Sequence, residues 1–210
     1  MTINYVFWDS DNTLVKTFEH HWNKHFEVLK TYGIHLDDTW KERIYTNNGN
    51  QNWEWLTGEL GLKAPRDEYI DAIDSWYHRH IPAIEIREGV VEALEMMKEK
   101  GLPMAVVSNG RIRSVTPALE AKGLSPYFKF ILCKEDYAGR KPDPAPYLAA
   151  LTKMRQVTGQ AIGAGECLVI EDDPKGVESG RAAGMHVLDR PLDDQDTARF
   201  IERCASFLAP

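Results

Sequence analysis

The chain has few cysteines, no run of basic residues and no apolar stretch long enough to cross a bilayer. Its three cysteines, Cys133, Cys167 and Cys204, lie far apart and without metal-ligand spacing. An odd, sparse set of this kind argues for reduced thiols in a cytoplasmic compartment. Acidic residues outnumber basic ones by 32 to 25, for a net charge of −7. That balance counts against nucleic acid and anionic membranes as partners, and an anionic substrate would need a local positive site. The opening "MTINYVFWDSD" has no basic, apolar, small-residue leader, so neither export nor membrane insertion is expected. What is present is ordinary for a globular chain: 43% hydrophobic and 27% charged over 210 residues. This suits one large domain or one domain carrying a substantial insertion, and nothing in it speaks to oligomeric state.

Short apolar runs at residues 5–8, 104–107, 130–132 and 168–170, with a fifth at 186–188, have the unbroken character of strands buried on both faces. Helical patterns lie between them. Val90, Val91, Leu94 and Met97 recur at helical spacing, and Gly101 stands where a left-handed cap is wanted. Asp143 before Pro144 reads as a helix start, and residues 174–183 read as a helix closed by Gly184. This alternation predicts an open α/β sheet. Residues 16–87 differ. Phe18, Trp22, Phe26 and Leu29 mark one amphipathic helix ending at Gly33, and Ile70, Ile73 and Tyr77 mark another. Five of the six tryptophans lie in this stretch, which predicts a helical insertion after the first strand.

In open α/β sheets ligands bind outside the carboxyl ends of the strands, so the residues after each run carry the functional information. Asp9 and Asp11 follow the first run; Ser108, Asn109 and Gly110 follow the second. Lys141, in "GRKPDP", comes after the third, and Glu171, Asp172 and Asp173 follow the fourth. Side chains two apart on an extended segment point the same way, so Asp9 and Asp11 crowd each other. Taken singly these are unremarkable: an Asx-turn, a turn dipeptide, a loop before a capped helix, an acidic helix start. Their order after successive strands gives them a joint chemistry. Clustered carboxylates repel unless a hard cation such as Mg²⁺ relieves them, and Mg²⁺ prefers oxygen ligands while leaving room for phosphate. Ser108 with its neighbouring N–H groups and Lys141 can hold phosphoryl oxygens, leaving one aspartate to attack phosphorus and another to move protons.

"DSDNTLV", "VVSNG", "RKPDP" and "VIEDDPKGVESGRAAGM" together resemble, in order, the four motifs of the haloacid-dehalogenase superfamily of hydrolases, in the branch with a helical cap (phosphoglycolate phosphatase and β-phosphoglucomutase-like). The resemblance implies a Rossmann-like open parallel sheet with helices on both faces. Residues 1–15 and 88–210 would form the catalytic core and 16–87 an inserted α-helical cap domain. It implies Asp9 as nucleophile forming an aspartyl-phosphate, and Asp11 as the group that protonates the leaving oxygen and later activates water. Mg²⁺ would be held by Asp9, the backbone carbonyl of Asp11, Glu171 and Asp172. Ser108, Asn109 and Lys141 would bind the substrate phosphate, and Asp173, where the family often has serine, would cap a helix or support the site. Ser10 and Lys16 depart from the pattern, and Lys16 is a candidate for drawing in an anionic substrate.

The expected activity is therefore Mg²⁺-dependent hydrolysis of a small phosphorylated metabolite. Halide-removing relatives lack the second aspartate, and Asp11 is present. A β-phosphoglucomutase-type mutase is the alternative, since Thr17, Glu19 and His21 in "TFEHH" resemble its pattern. A mutase must also grip a second phosphate, and the loop "TNNGNQNWEWL" contains no arginine for it. A catalytically retired binding module would normally have lost the nucleophile or the lysine, and neither is lost. Trp53 and Trp55, beside the amide-rich residues 47–52, fit either a specificity loop or the cap's own core. His21 and His25 have the i, i+4 spacing of a metal pair but lack a third ligand, so they read as a helix face. Arg111 and Arg113 follow the phosphate-binding turn and are candidates for substrate contact or for surface ion pairs.

Overall fold

The computed structural model describes residues 2–208, which fall into two compact units: the chain up to Lys16 together with Glu85 onward, and Thr17–Ile84. The strands among the described residues are β1 (Tyr5–Trp8), β2 (Val15–Lys16), β3 (Glu85–Ile86), β4 (Met104–Val107), β5 (Phe128–Leu132), β6 (Cys167–Glu171) and β7 (His186–Asp189). Five of them form one parallel sheet in the order β5-β4-β1-β6-β7. The remaining two, β2 and β3, pair antiparallel as a separate ribbon that the hydrophobic pattern did not announce. Among the described residues this unit also holds the α-helices α5 (Val90–Glu99), α6 (Ile112–Ala121), α7 (Ala145–Thr158), α8 (Pro174–Ala182) and α9 (Thr197–Phe207). The expected α/β fold with an open parallel sheet is the one observed. No helix of the described residues is long and apolar enough to cross a membrane.

All of β1 is buried, and its two neighbours set its register, with Val6 opposite Met104 on one side and Leu168 on the other. A central parallel strand is covered on both faces, which is why its sequence is unbroken apolar rather than alternating. On one face Tyr5, Phe7, Ala105, Val107 and Val169 pack with Tyr147, Ala150, Leu151 and Met154 of α7. On the other, Trp8 meets Phe200 of α9 edge-on, with ring centroids 6.4 Å apart. Each large apolar side chain buried in this way contributes about 1.5–3 kcal/mol. The chain runs from β1 to β4 and β5 on one side of the sheet, then crosses back to β6 and β7. The switch point therefore lies between β1 and β6, and in sheets of this kind ligands bind at the carboxyl ends of the strands there.

The other unit contains α1 (Phe18–Thr31), α2 (Lys41–Thr46), α3 (Gly49–Leu60) and α4 (Arg66–His80) around a core that includes Trp22, Leu29, Leu56, Tyr69 and Ile73. The stretch expected as a loop around "TNNGNQNWEWL" is largely helix. Asn48 accepts from the N–H groups of Asn50 and Gln51, and Gln51 returns a bond to the Asn48 N–H, so the amides cap α3. Asn52 is buried, donating to the Ile44 carbonyl at 3.0 Å and accepting from the Trp55 indole at 2.9 Å. Trp55 also stacks on Trp40, and the Trp53 indole donates to the Ala64 carbonyl. These tryptophans are packing residues of the helical unit.

His21 and His25 do not form a metal pair: His21 stacks on Tyr77, while the buried His25 shares a 2.6 Å hydrogen bond with the Tyr69 hydroxyl. Burial, helped by Lys24 and His21, holds the His25 pKa well below the ordinary value of 6.5. The unfolded chain then binds the proton more readily, so stability is complete above that ordinary value and is lost as pH falls below it. We expect the unfolding free energy to decline by up to about 1.4 kcal/mol per pH unit below neutrality through this one group. Urea unfolding between pH ~7 and pH ~5 measures it. An unchanged slope in His25→Gln would assign the decline elsewhere.

Candidate active site

The loop after β1 turns sharply. Leu14 and Val15 donate to the Ser10 carbonyl, Asn12 donates to Val15, and Asn12 takes a left-handed φ of 60°, which asparagine tolerates. The turn sends Asp9 inward, to 7% exposure, and carries Thr13 toward the end of β6. Lys141 enters the same space from the loop before α7 and is buried to 4% exposure. Its ammonium donates to Asp9 Oδ1 at 2.6 Å, Glu171 Oε1 at 2.5 Å and the Val107 carbonyl at 2.7 Å, using all its N–H bonds. Asp172 accepts from the Thr13 hydroxyl at 2.8 Å. Asp9, Glu171 and Asp172 each offer one oxygen, and these lie within 4.8 Å of one another.

The carboxylate of Asp11 is not in that group of three. An ideal Cβ placed on Gly110 would lie 3.2 Å from Asp11 Oδ2 and 3.1 Å from Ser108 Oγ, so both groups border the turn after β4. Ser108 is buried, its hydroxyl oxygen accepts the Gly110 N–H, and its carbonyl accepts from Tyr137. Asn109 Oδ1 accepts the Lys141 backbone N–H at 3.1 Å, so this side chain fastens the turn to the lysine loop. Asp173 is exposed and caps α8 through the Lys175 N–H. Lys16 is committed to ion pairs with Glu85 and Glu88, which leaves it poorly suited to the recruiting role considered for it. Arg113 is exposed and Arg111 half-buried at the start of α6.

Three supporting residues escaped the motif reading. Thr13 fixes Asp172, and Tyr147 donates to Glu171 Oε1 at 2.5 Å. Buried Arg87 donates to the carbonyls of Asn12, Arg190, Pro191 and Asp194, tying the loop after β1 to the loop after β7. The Arg190 N–H in turn donates to the Glu171 carbonyl at 2.7 Å. Tyr147 stands on α7 six residues after Lys141, and in "DPAPYL" nothing marks its hydroxyl as a partner of Glu171. Arg87 likewise carries no signal in "EIREG".

The profile of the family described as haloacid dehalogenase-like hydrolase matches residues 6–189, which span every strand of the parallel sheet except the first residue of β1. The chain belongs to this family. A phosphoglycolate phosphatase from Thiobacillus denitrificans is 35% identical over 137 residues, 63% of this chain and 57% of that protein. The N-acetylmuramic acid 6-phosphate phosphatase of Pseudomonas aeruginosa is 26% identical over 88% of this chain and 80% of its own. Among solved structures, a β-phosphoglucomutase from Clostridium difficile superimposes with a TM-score of 0.72 at 17% identity, covering 98% of both chains, a likeness of fold. With the family profile and phosphatase relatives in agreement, this haloacid dehalogenase-like chain is a hydrolase of the phosphatase kind.

The electrostatics of this hydrolase site are those of an excess of acid. Burial raises the Asp9 pKa well above the ordinary aspartate value; Lys141 opposes the rise, while Glu171, Asp172 and Asp11 add to it. Burial works against the Lys141 ammonium, yet Asp9 and Glu171 outweigh it and hold its pKa well above the ordinary lysine value. Burial and Glu171 push Asp172 up to about 7, against the pull of Thr13, Lys141 and Arg87. A carboxyl raised in the folded state contributes most below its unfolded pKa and loses that contribution as pH rises through the folded value. Asp172→Asn should therefore raise the metal-free stability above pH ~7 by more than about 1 kcal/mol, with the gain fading toward pH ~4. Thermal unfolding in a chelator reads this, and a variant no more stable than wild type at the higher pH would contradict it.

Proposed function

We propose that the protein is a Mg²⁺-dependent phosphatase that hydrolyses a small phosphorylated metabolite through an aspartyl-phosphate on Asp9. One observation carries the reading: Asp9 is held at 2.6 Å by a buried ammonium, in a group where Glu171 and Asp172 bring two further carboxylate oxygens within 4.8 Å. Three carboxylates against the single ammonium in contact with them leave an excess of negative charge, and the donors are all hard oxygens. That chemistry fits a hard divalent cation. Asp9, Glu171 and Asp172, with the Asp11 carbonyl, would hold Mg²⁺, which supplies charge neutralisation for the carboxylates and for phosphoryl oxygens.

The chain's own residues then divide the work. Asp9 attacks phosphorus; the P–O bond to the leaving group breaks, and Asp11, which borders the Ser108–Gly110 turn, delivers its proton to the departing oxygen. In the second half Asp11 takes a proton from water as that water attacks phosphorus. The bond between phosphorus and the Asp9 oxygen breaks, and inorganic phosphate leaves. Ser108 and the N–H groups of the turn it opens would bind phosphoryl oxygens, with Asn109 keeping that turn against the Lys141 loop. Lys141 offsets the charge that develops on the transferring group. The helical insertion, expected over residues 16–87, would serve as the cap that chooses the substrate.

The names of the phosphatase relatives support a sugar-derived or short-chain phosphate monoester as substrate. The test is p-nitrophenyl phosphate turnover with Mg²⁺, alone and after chelation, in wild type, Asp9→Asn and Asp11→Asn. Asp9→Asn and metal removal should abolish turnover, and Asp11→Asn should lower it by about 10²–10⁴. Undiminished turnover in Asp9→Asn would remove that residue from the mechanism. A panel of sugar phosphates and phosphoglycolate, scored for released phosphate against isomerised product, separates hydrolysis from mutase chemistry.

A further inference from the structure

Glu171 is the most constrained acid of the site, and the constraint does not come from Lys141 alone. Its carboxylate is 1% exposed, and Oε1 accepts both the Lys141 ammonium and the Tyr147 hydroxyl, each at 2.5 Å. Tyr147 is itself completely buried, and its ring centroid lies 5.0 Å from the Lys141 nitrogen. The carboxylate also lies against the first turn of α8. An ideal Cβ on Gly176 would fall 2.0 Å from Glu171 Cδ, 2.0 Å from Oε1 and 2.2 Å from Oε2, so no residue but glycine leaves room for it. A hydroxyl that bonds Oε1 and a position without a side chain together fix the carboxylate.

We propose that Tyr147 and Gly176 are positioning residues that hold Glu171 in the orientation required for the divalent cation and keep Lys141 shared between Glu171 and Asp9. The inference rests on the cation site proposed above. A free glutamate side chain loses rotamer entropy when it is fixed, and here that loss is taken at folding, before a cation arrives. Oε1 has limited acceptor capacity. With the tyrosine hydroxyl occupying part of it, Glu171 does not draw the ammonium away from Asp9 at 2.6 Å. Without the hydroxyl, Oε1 has the ammonium as its remaining donor, and the carboxylate is free to turn toward it. With a methyl at Gly176, the carboxylate is driven off the helix altogether.

Calorimetric titration of Mg²⁺ into the full-length wild type, Tyr147→Phe and Gly176→Ala tests this, together with the Mg²⁺ concentration that gives half-maximal turnover. Tyr147→Phe should weaken Mg²⁺ binding about 10–100-fold, the usual cost of losing a partner that orients a ligand. Its kcat at saturating Mg²⁺ should fall less than that. Gly176→Ala should weaken binding at least as much, although alanine is the better helix former. In a Glu171→Gln background Tyr147→Phe should bring no further loss, because its effect runs through the carboxylate. Circular dichroism establishes that each variant is folded, and if one is not, the other decides the matter. Wild-type Mg²⁺ affinity in both folded variants would overturn the positioning role while leaving the phosphatase reading intact. Absence of Mg²⁺ binding and turnover in the wild type would overturn both.

Discussion

The site is organised by one buried ammonium between two carboxylates. Burying a charge costs several kcal/mol unless it is paired and fully hydrogen-bonded. Lys141 meets that condition with Asp9, Glu171 and the Val107 carbonyl, which come from three different strand ends. The pairing is therefore also a geometric constraint. It requires the loops after β1, β4 and β6 to end at the same depth, and the sheet order β4-β1-β6 places those ends side by side. The lysine loop is in turn clasped to the Ser108–Gly110 turn through Asn109.

Around that ammonium the protein has gathered more negative charge than the contact neutralises. The raised pKa values of Asp9 and Asp172 come first from burial and then from the neighbouring carboxylates: the fold keeps acids out of water, beside one another, and so presents a set of oxygen donors. Arg87 moderates the negative charge from behind. Its guanidinium bonds to backbone carbonyls rather than to an acid, so its charge stays available to the cluster and lowers the pKa of Asp172. Such arrangements trade stability for readiness, as active sites commonly do.

Much of the fold was legible because buried parallel strands leave an unbroken apolar signature, as in Tyr5–Trp8 and Met104–Val107, and because helix stops such as Gly101 are chemically specific. The acids and the lysine were legible because they follow those strands. What escaped has physical reasons. Helix α3 begins in an asparagine-rich stretch whose amides cap it, and the same amides read from sequence as a loop. Tyr147 lies on the core face of α7 beside Ala150, Leu151 and Met154, so in the sequence its ring reads as one more packing residue and its hydroxyl gives no separate signal. Arg87 is chemically indistinguishable from a surface arginine until its carbonyl partners, about a hundred residues on in the chain, are brought to it. The ion pairs of Lys16 were hidden for the same reason, since Glu85 and Glu88 lie about seventy residues on in the chain, beyond the helical stretch.

The antiparallel ribbon of Val15–Lys16 against Glu85–Ile86 has a topological meaning. It joins the outgoing and returning segments of chain side by side, just before and just after residues 17–84. From the sheet's point of view the helical unit is thus a long hairpin bulb on a two-rung stem. Because residues 17–84 leave and rejoin the chain at adjacent rungs, an excursion of another length can start and end there with the strand order β5-β4-β1-β6-β7 unchanged.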